Sequence, residues 1–164
     1  MINEFLTQPA REESDSLKRY FGKAVDIVNA LLIRVKRSQR IVPKGEPVKV
    51  NFGSSLIVQD GWINVEGTLH AVAGKWPKVL QKLLYRGSSV REWLSEEEYL
   101  RILRTQAFVH HDLDFGLPFP DASVDYLYAS HVLEHFYPDV GQNILRDAHR
   151  VLKKGGRMRI CVQI

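Results

Sequence analysis

A single cysteine, Cys161, stands among 164 residues, so no internal disulfide can form and the fold has to rest on burial. Glycine and proline number eleven and seven, too few for a collagen-like or low-complexity chain. No apolar run approaches the roughly 20 residues that span a bilayer. The segment before Ser14 lacks the charged, apolar and small-residue regions of a secretory leader. A cytoplasmic location follows as the expectation. What is present is 45% apolar and 26% charged, the composition of one globular domain. At this length a domain buries on the order of two thirds of its unfolded surface, enough for a core without a structural metal.

The formal charge of +4 is a mild basic excess, but its distribution is uneven. Six basic residues (Arg34, Lys36, Arg37, Arg40, Lys44 and Lys49) fall between positions 34 and 49 against one acid, Glu46. Asp112, Asp114, Asp121 and Asp125 form a base-free acidic stretch. The basic run lacks the interleaved aromatics of a base-stacking platform, so it reads as solvated surface and no nucleic-acid partner is expected.

Leu17, Tyr20, Phe21, Ala24, Val28, Leu31, Leu32 and Val35 recur at three-and-four spacing and predict a helix, with Ser14 or Ser16 at its start. Pro43, Gly45 and Pro47 break it. Residues 1–46 therefore read as a helical extension and linker, and 47–164 as the main domain. Val48–Phe52 and Trp62–Val65 are β-prone and end at turn residues. A helical insert follows over about 69–106, with a break at Gly87-Ser88-Ser89. Ser95 and Glu98 stand in capping-box spacing ahead of its second helix. Phe108–Asp112 and Val124–Ala129 predict two more strands. Pro138–Lys154 predicts a helix stopped by Gly155-Gly156, and Arg157–Val162 a last strand. This alternation predicts an α/β fold with a doubly wound, mostly parallel sheet.

In such sheets ligands sit outside the carboxyl ends of the strands, here Gly53-Ser54-Ser55, Glu66, His111-Asp112-Leu113 and Ser130-His131. A first-turn glycine admits close backbone approach. An acid ending the second strand can accept from a ribose diol, and an Asp ending the third from an adenine amino group. The set is shaped for a nucleoside.

Val48-Lys49-Val50-Asn51-Phe52-Gly53, Asp60-Gly61-Trp62-Ile63-Asn64-Val65-Glu66, His111-Asp112-Leu113, Leu117-Pro118-Phe119-Pro120-Asp121, Ser130-His131-Val132-Leu133-Glu134-His135 and Arg150-Val151-Leu152-Lys153-Lys154-Gly155-Gly156 come in order over about residues 48–162. Together they resemble the motif series of class I S-adenosylmethionine-dependent methyltransferases, in the type 11-like branch. The resemblance implies a Rossmann-like fold and S-adenosyl-L-methionine as cofactor. Asn51, Phe52, Gly53, Ser54 and Ser55 would lie along it, Glu66 would hold the ribose hydroxyls, and Asp112 with Leu113 would read the adenine. Ser130 and His131 would border the methyl group. It also implies a small-molecule or glycan acceptor, some members of the branch being linked to cell-surface glycans. Ser55 replaces a glycine of the family, and a loop less free to take positive φ is expected. The family sheet ends in a hairpin beyond the fifth strand, so a sequence ending at Ile164 is expected to be truncated.

Methyl transfer from a sulfonium needs alignment and exclusion of water more than proton chemistry, so no fixed triad is expected. Towards a hydroxyl acceptor His131 is the candidate general base, the alternative being that it only packs or hydrogen-bonds there; His135 reads as structural. Two other functions compete. One is a non-catalytic, methyltransferase-like binding module, favoured by Ser55 and the early end. The other is a zinc hydrolase through His131, Glu134 and His135, which fit an HxxEH pattern. That pattern directly follows a predicted strand and no glutamate comes later as third ligand, so no metal is expected. The basic amphipathic piece Lys75–Arg86 would suit peripheral membrane contact or a core-facing helix with a solvated side. Acceptor identity and oligomeric state have no signature in the sequence.

Overall fold

The computed structural model describes residues 8–163, with side chains from Arg19 onward. A long helix, α1 (Gln8–Lys36), precedes β1 (Lys49–Phe52) and β2 (Ile63–Glu66). Helices α2 (His70–Ala73), α3 (Lys78–Gly87) and α4 (Glu96–Thr105) connect β2 to β3 (Ala107–His110). After β4 (Val124–Ser130) come α5 (Pro138–Val151) and β5 (Leu152–Cys161). The strands form one sheet in the order β3-β2-β1-β4-β5, every pair parallel. The chain runs outward from β1 to β3, then returns to β4, so strand order reverses between β1 and β4. That reversal is where open α/β sheets bind ligands.

Alternation along the strands sorts side chains to two faces. Val50, Phe52, Val65, Leu127 and Ala129 pack with Ile144, Ala148 and Val151 of α5 into one core. On the opposite face Leu69, Ala73, Leu84, Tyr99, Ile102 and Leu103 of the connection between β2 and β3 build a second core, with Phe108 against it. Ser95 caps α4 as its spacing predicted, its side chain accepting from the Glu98 N–H at 3.2 Å. The predicted basic side of α3 is partly paired, Lys82 lying 2.7 Å from Glu96.

Three expectations change. Helix α1 is already formed at Gln8, so Ser14 and Ser16 lie within it rather than at its start; their side chains and that of Leu17 fall outside the described residues. Its apolar stripe is only half covered. Of that stripe Leu32 packs on the second core, beside Val25, whereas Tyr20, Val28, Leu31 and Val35 are exposed. The third change is at the end of α5, which stops at Val151. Lys153, Lys154 and Gly155-Gly156 belong to β5, where a bulge places five steps, Leu152 to Arg157, against two of β4, Val124 to Tyr126. Gly155 supplies the positive φ of 83° this bulge needs, and Lys153 is drawn in by Asp125 at 3.0 Å. Sheet pairing therefore claims residues whose local composition reads as a helix stop.

His110 and His70 are built into this framework as neutral rings. His110 Nε2 lies 2.9 Å from Asn29 Oδ1, tying α1 to the strand ends, and His70 Nδ1 lies 3.0 Å from the Tyr99 hydroxyl. Burial lowers both from the ordinary 6.5 to about 4, with Lys36 and His111 adding to the effect at His110. Between these two values the unfolded chain takes up protons that the folded chain refuses. Stability is accordingly expected to be level above about pH 6.5 and to fall as pH drops towards about 4. Melting temperatures measured across that window check it; an unchanged Tm would contradict it.

Candidate functional site

Glu66 organises the carboxyl end of the sheet. Its Oε2 accepts the Ser55 N–H at 2.6 Å and its Oε1 the Thr68 N–H at 3.2 Å, so one carboxylate ties together the turns after β1 and β2. Burial raises its pKa, the hydrogen bonds from Ser55, Thr68 and Gly67 opposing this in part. Each oxygen keeps a lone-pair direction for a further donor.

Ser55 does take positive φ, at 49°, contrary to the expectation from a serine at that position. The short bond to Glu66 holds it there, offsetting the roughly 1–2 kcal/mol that the left-handed region costs a residue with a Cβ. The Ser55→Gly variant keeps that backbone N–H and relieves the strain. It is expected to stabilise the fold by up to about 1 kcal/mol in urea denaturation, the entropy of the added glycine cancelling the rest.

Gly53, at φ 66°, is required by its neighbour as well as by its backbone. A Cβ built on it would lie 2.6 Å from a Val132 methyl group. Val132 thus packs onto the first turn from the segment after β4. That segment begins with His131, held at φ 52° by its N–H to the Cys161 carbonyl at 2.9 Å. His131 Nδ1 lies 3.0 Å from Glu134 Oε1. A carboxylate only accepts, so Nδ1 is the donor in this contact. Glu134 is held below the usual carboxylate range by hydrogen bonds from its own backbone N–H, from Gln163 N–H and from His131.

Asp112 caps the 3₁₀ turn Leu113–Phe115 through Oδ1, which accepts the Asp114 N–H at 3.0 Å. The following stretch is tied to α5 by Asp147, which accepts the Leu117 N–H, and by Arg150. The guanidinium donates to Asp147, Asp121 and the carbonyls of Leu117 and Phe119.

Two cavities meet at this end of the sheet. One of about 260 Å³ is walled by Gly53, Glu66, Asp112, Leu113 and His131. The other, of about 200 Å³, is walled by Asn51, Gly53, Ser54, Ser55, Ser130 and His131. They share Gly53 and His131, so together they form one elongated cleft across the point where strand order reverses. Of the residues singled out in the sequence, Phe52 lines neither cavity. It is fully buried in the core beneath, one position out of phase with Asn51.

Phe136 in the first cavity and Ile57 and Tyr128 in the second have no such signal in the sequence, while His111, Val132 and His135, which lie in the strand-end and motif segments without being assigned a ligand contact, also line the first cavity. The ring of His111 is fixed from outside the motifs by Gln39, whose amide donates to the His110 carbonyl at 2.6 Å and lies 3.3 Å from His111 Nδ1. His131 and His135 do not share a helix face, since only Leu133–His135 forms a short 3₁₀ turn and His131 is in the left-handed region. The spatial condition of an HxxEH zinc site is therefore not met. Among the described residues no helix is long and apolar enough to cross a membrane.

Residues 88–160 match the family described as a methyltransferase domain. Among solved structures, the chain is similar to a Methanococcus maripaludis protein assigned as an S-adenosyl-L-methionine-dependent methyltransferase. Identity is 14% and the TM-score 0.40, over 94% of this chain and 62% of that one. It is also similar to the YcgJ protein of Bacillus subtilis, with 18% identity and a TM-score of 0.40, over 80% of this chain and 48% of that one. The chain thus spans less than two thirds of the length of either. The matched residues run from just after α3 through β5, on a parallel sheet that opens its cleft at the β1/β4 reversal, while β1 and β2 with Gly53 and Glu66 lie outside the match.

Proposed function

We propose that the cleft binds S-adenosyl-L-methionine and that the protein transfers its methyl group to a small-molecule or glycan acceptor. The observation that carries this reading is Glu66, a buried carboxylate at the tip of β2 with both oxygens directed by backbone donors and each able to accept one more. The residues fit the cofactor by donor and acceptor type. Glu66 suits a ribose diol, the second oxygen of Asp112 an exocyclic amino group, and the two joined cavities an elongated molecule with its middle over Gly53. When bound, the cofactor supplies an electrophilic methyl on a positively charged sulfur.

The remaining work falls to the chain itself. The turns after β1 and β2 are fixed to each other through Glu66, which positions the cleft wall before any ligand enters. Val132 packs against Gly53 and fixes the segment after β4 on the first turn. Towards a hydroxyl acceptor, His131 Nε2 takes the proton, while Nδ1–H stays on Glu134, which stabilises the imidazolium so formed. Ser130 and Tyr128 line the cavity on His131's other side, placing hydroxyl groups where an acceptor would enter.

Isothermal titration of the protein with S-adenosylmethionine and S-adenosylhomocysteine tests the reading. Saturable binding of both at one site is expected. A folded protein that binds neither would replace it with a non-catalytic methyltransferase-like module.

A further inference from the structure

The connection from β1 to β2 is a ten-residue loop without a helix, positions 53–62. On the sheet face that α2, α3 and α4 cover at β2 and β3, this loop packs over Asn51 of β1, whose amide donates to the Ile57 carbonyl at 3.1 Å, and among the described residues β4 and β5 are left open. A groove of about 720 Å³ lies there, its floor formed by Tyr126, Tyr128, Arg157 and Arg159 and one wall by Trp62. Tyr126 stands in register with Arg157 and Tyr128 with Arg159, so two aromatic rings and two guanidiniums alternate across the floor. Trp62 meets Tyr128 edge-on, ring centroids 6.3 Å apart. Neither arginine has a carboxylate partner among the described residues.

This is not the chemistry of a face awaiting a helix. The opposite face of the same strands carries Val50, Phe52, Leu127 and Ala129 and is fully packed. Aromatic side chains beside unpaired guanidiniums match a ring with an anionic group attached. The groove also shares Asn51, Ile57 and Tyr128 with the cavity that contains His131. From Tyr126 to His131 the strand spans about 16 Å at 3.3 Å per residue.

We infer that this groove is the acceptor site: it takes an elongated organic anion whose ring rests on Trp62, Tyr126 and Tyr128, whose phosphate or carboxylate lies between Arg157 and Arg159, and whose methylated end reaches His131. The inference rests on the proposed methyltransferase reading and names the substrate class of that site.

Titration with phenyl phosphate, glucose 1-phosphate and benzoate, followed by tryptophan fluorescence and calorimetry, tests it; phenol and inorganic phosphate serve as controls. Saturable binding of at least one ring-bearing anion is expected, tighter than either control. The double variant Arg157→Ala/Arg159→Ala, at two exposed positions, should weaken it tenfold or more while S-adenosylhomocysteine still binds. Phenyl phosphate against benzoate distinguishes a phosphate from a carboxylate ligand. Binding retained in Glu66→Ala would establish the groove independently of the cofactor cleft. If the anions bind the wild type but S-adenosylhomocysteine does not, the groove stands and the cofactor reading falls. The inference is overturned if no ring-bearing anion binds up to about 10 mM, weaker than about −3 kcal/mol. Equal binding by the double variant, or by inorganic phosphate alone, overturns it as well. So does a concentration-dependent dimer that the arginine substitutions abolish, for then a second copy covers the groove.

Discussion

Replacing Glu66 with alanine is expected to weaken S-adenosylhomocysteine binding tenfold or more, a loss of at least about 1.4 kcal/mol. Two effects add. The ribose diol loses its acceptor, and the Ser55 and Thr68 N–H groups lose the carboxylate that holds the two turns in place. Glu66→Gln separates them, because an amide retains one accepting oxygen and should show a smaller loss. The pH dependence has a definite sign. A diol donates to the ionised carboxylate, and burial raises the Glu66 pKa, so affinity should rise with pH through that value and level off above it. The slope on the acid side should vanish in Glu66→Gln. Calorimetric titration across the acid range reads both effects, with circular dichroism to verify that each variant is folded. Wild-type affinity in Glu66→Ala would remove the central contact of the proposed function.

The second large effect is expected from Arg150→Ala, on stability. Arg150 is the only bridge between α5 and both the Leu117 and Phe119 carbonyls among the described hydrogen bonds, and it also neutralises Asp147. Burial alone would raise the Asp147 pKa. The Arg150 guanidinium and the Leu117 N–H nevertheless hold it below the usual range, and the same pairing raises Arg150. Truncation leaves a carboxylate and two carbonyls short of donors. A fully buried pair broken in this way costs about 3–5 kcal/mol; with the Arg150 side chain 28% exposed, about 2–3 kcal/mol is expected. Urea denaturation measures it. Arg150→Lys should recover only part, since an ammonium cannot reproduce the planar fork. Because the same segment begins at Asp112 and Leu113, a weaker cofactor affinity should accompany the lost stability.

The strands were legible where they alternate or run apolar between turn residues, as at Val48–Phe52 and Val124–Ala129. The Ser95/Glu98 cap was legible because capping is local chemistry. Glu66, Asp112 and His131 could be picked out by their positions after strands, since the parallel sheet gathers those ends at one edge. What resisted reading was set by partners distant in sequence. Lys153–Gly156 has the composition of a helix stop, yet β4 pairs with it. Ser55 looks unsuited to the left-handed region until Glu66, eleven residues on, captures its N–H. Gln39 belongs to no motif and reaches the site only because the chain after α1 folds back over His110 and His111. The Asp147–Arg150 pair looks like an ordinary helical i,i+3 bridge, and its role depends on the Leu117–Asp121 segment docking beside it.

The short connection between β1 and β2 has a thermodynamic consequence. One end of the loop, Gly53 to Ser55, borders the cleft proposed to hold the cofactor, and the other, Ile57 to Trp62, borders the arginine-lined groove. Both ligands therefore act on a single peptide segment with no helix to insulate them. If filling the cleft orders Ser54–Ile57, the groove's affinity changes by some factor, and filling the groove must change the cleft's affinity by the same factor. A protein with a helix in that connection would divide the two surfaces between separate elements; here a single loop borders both, so the two proposed ligands are expected to alter each other's affinity.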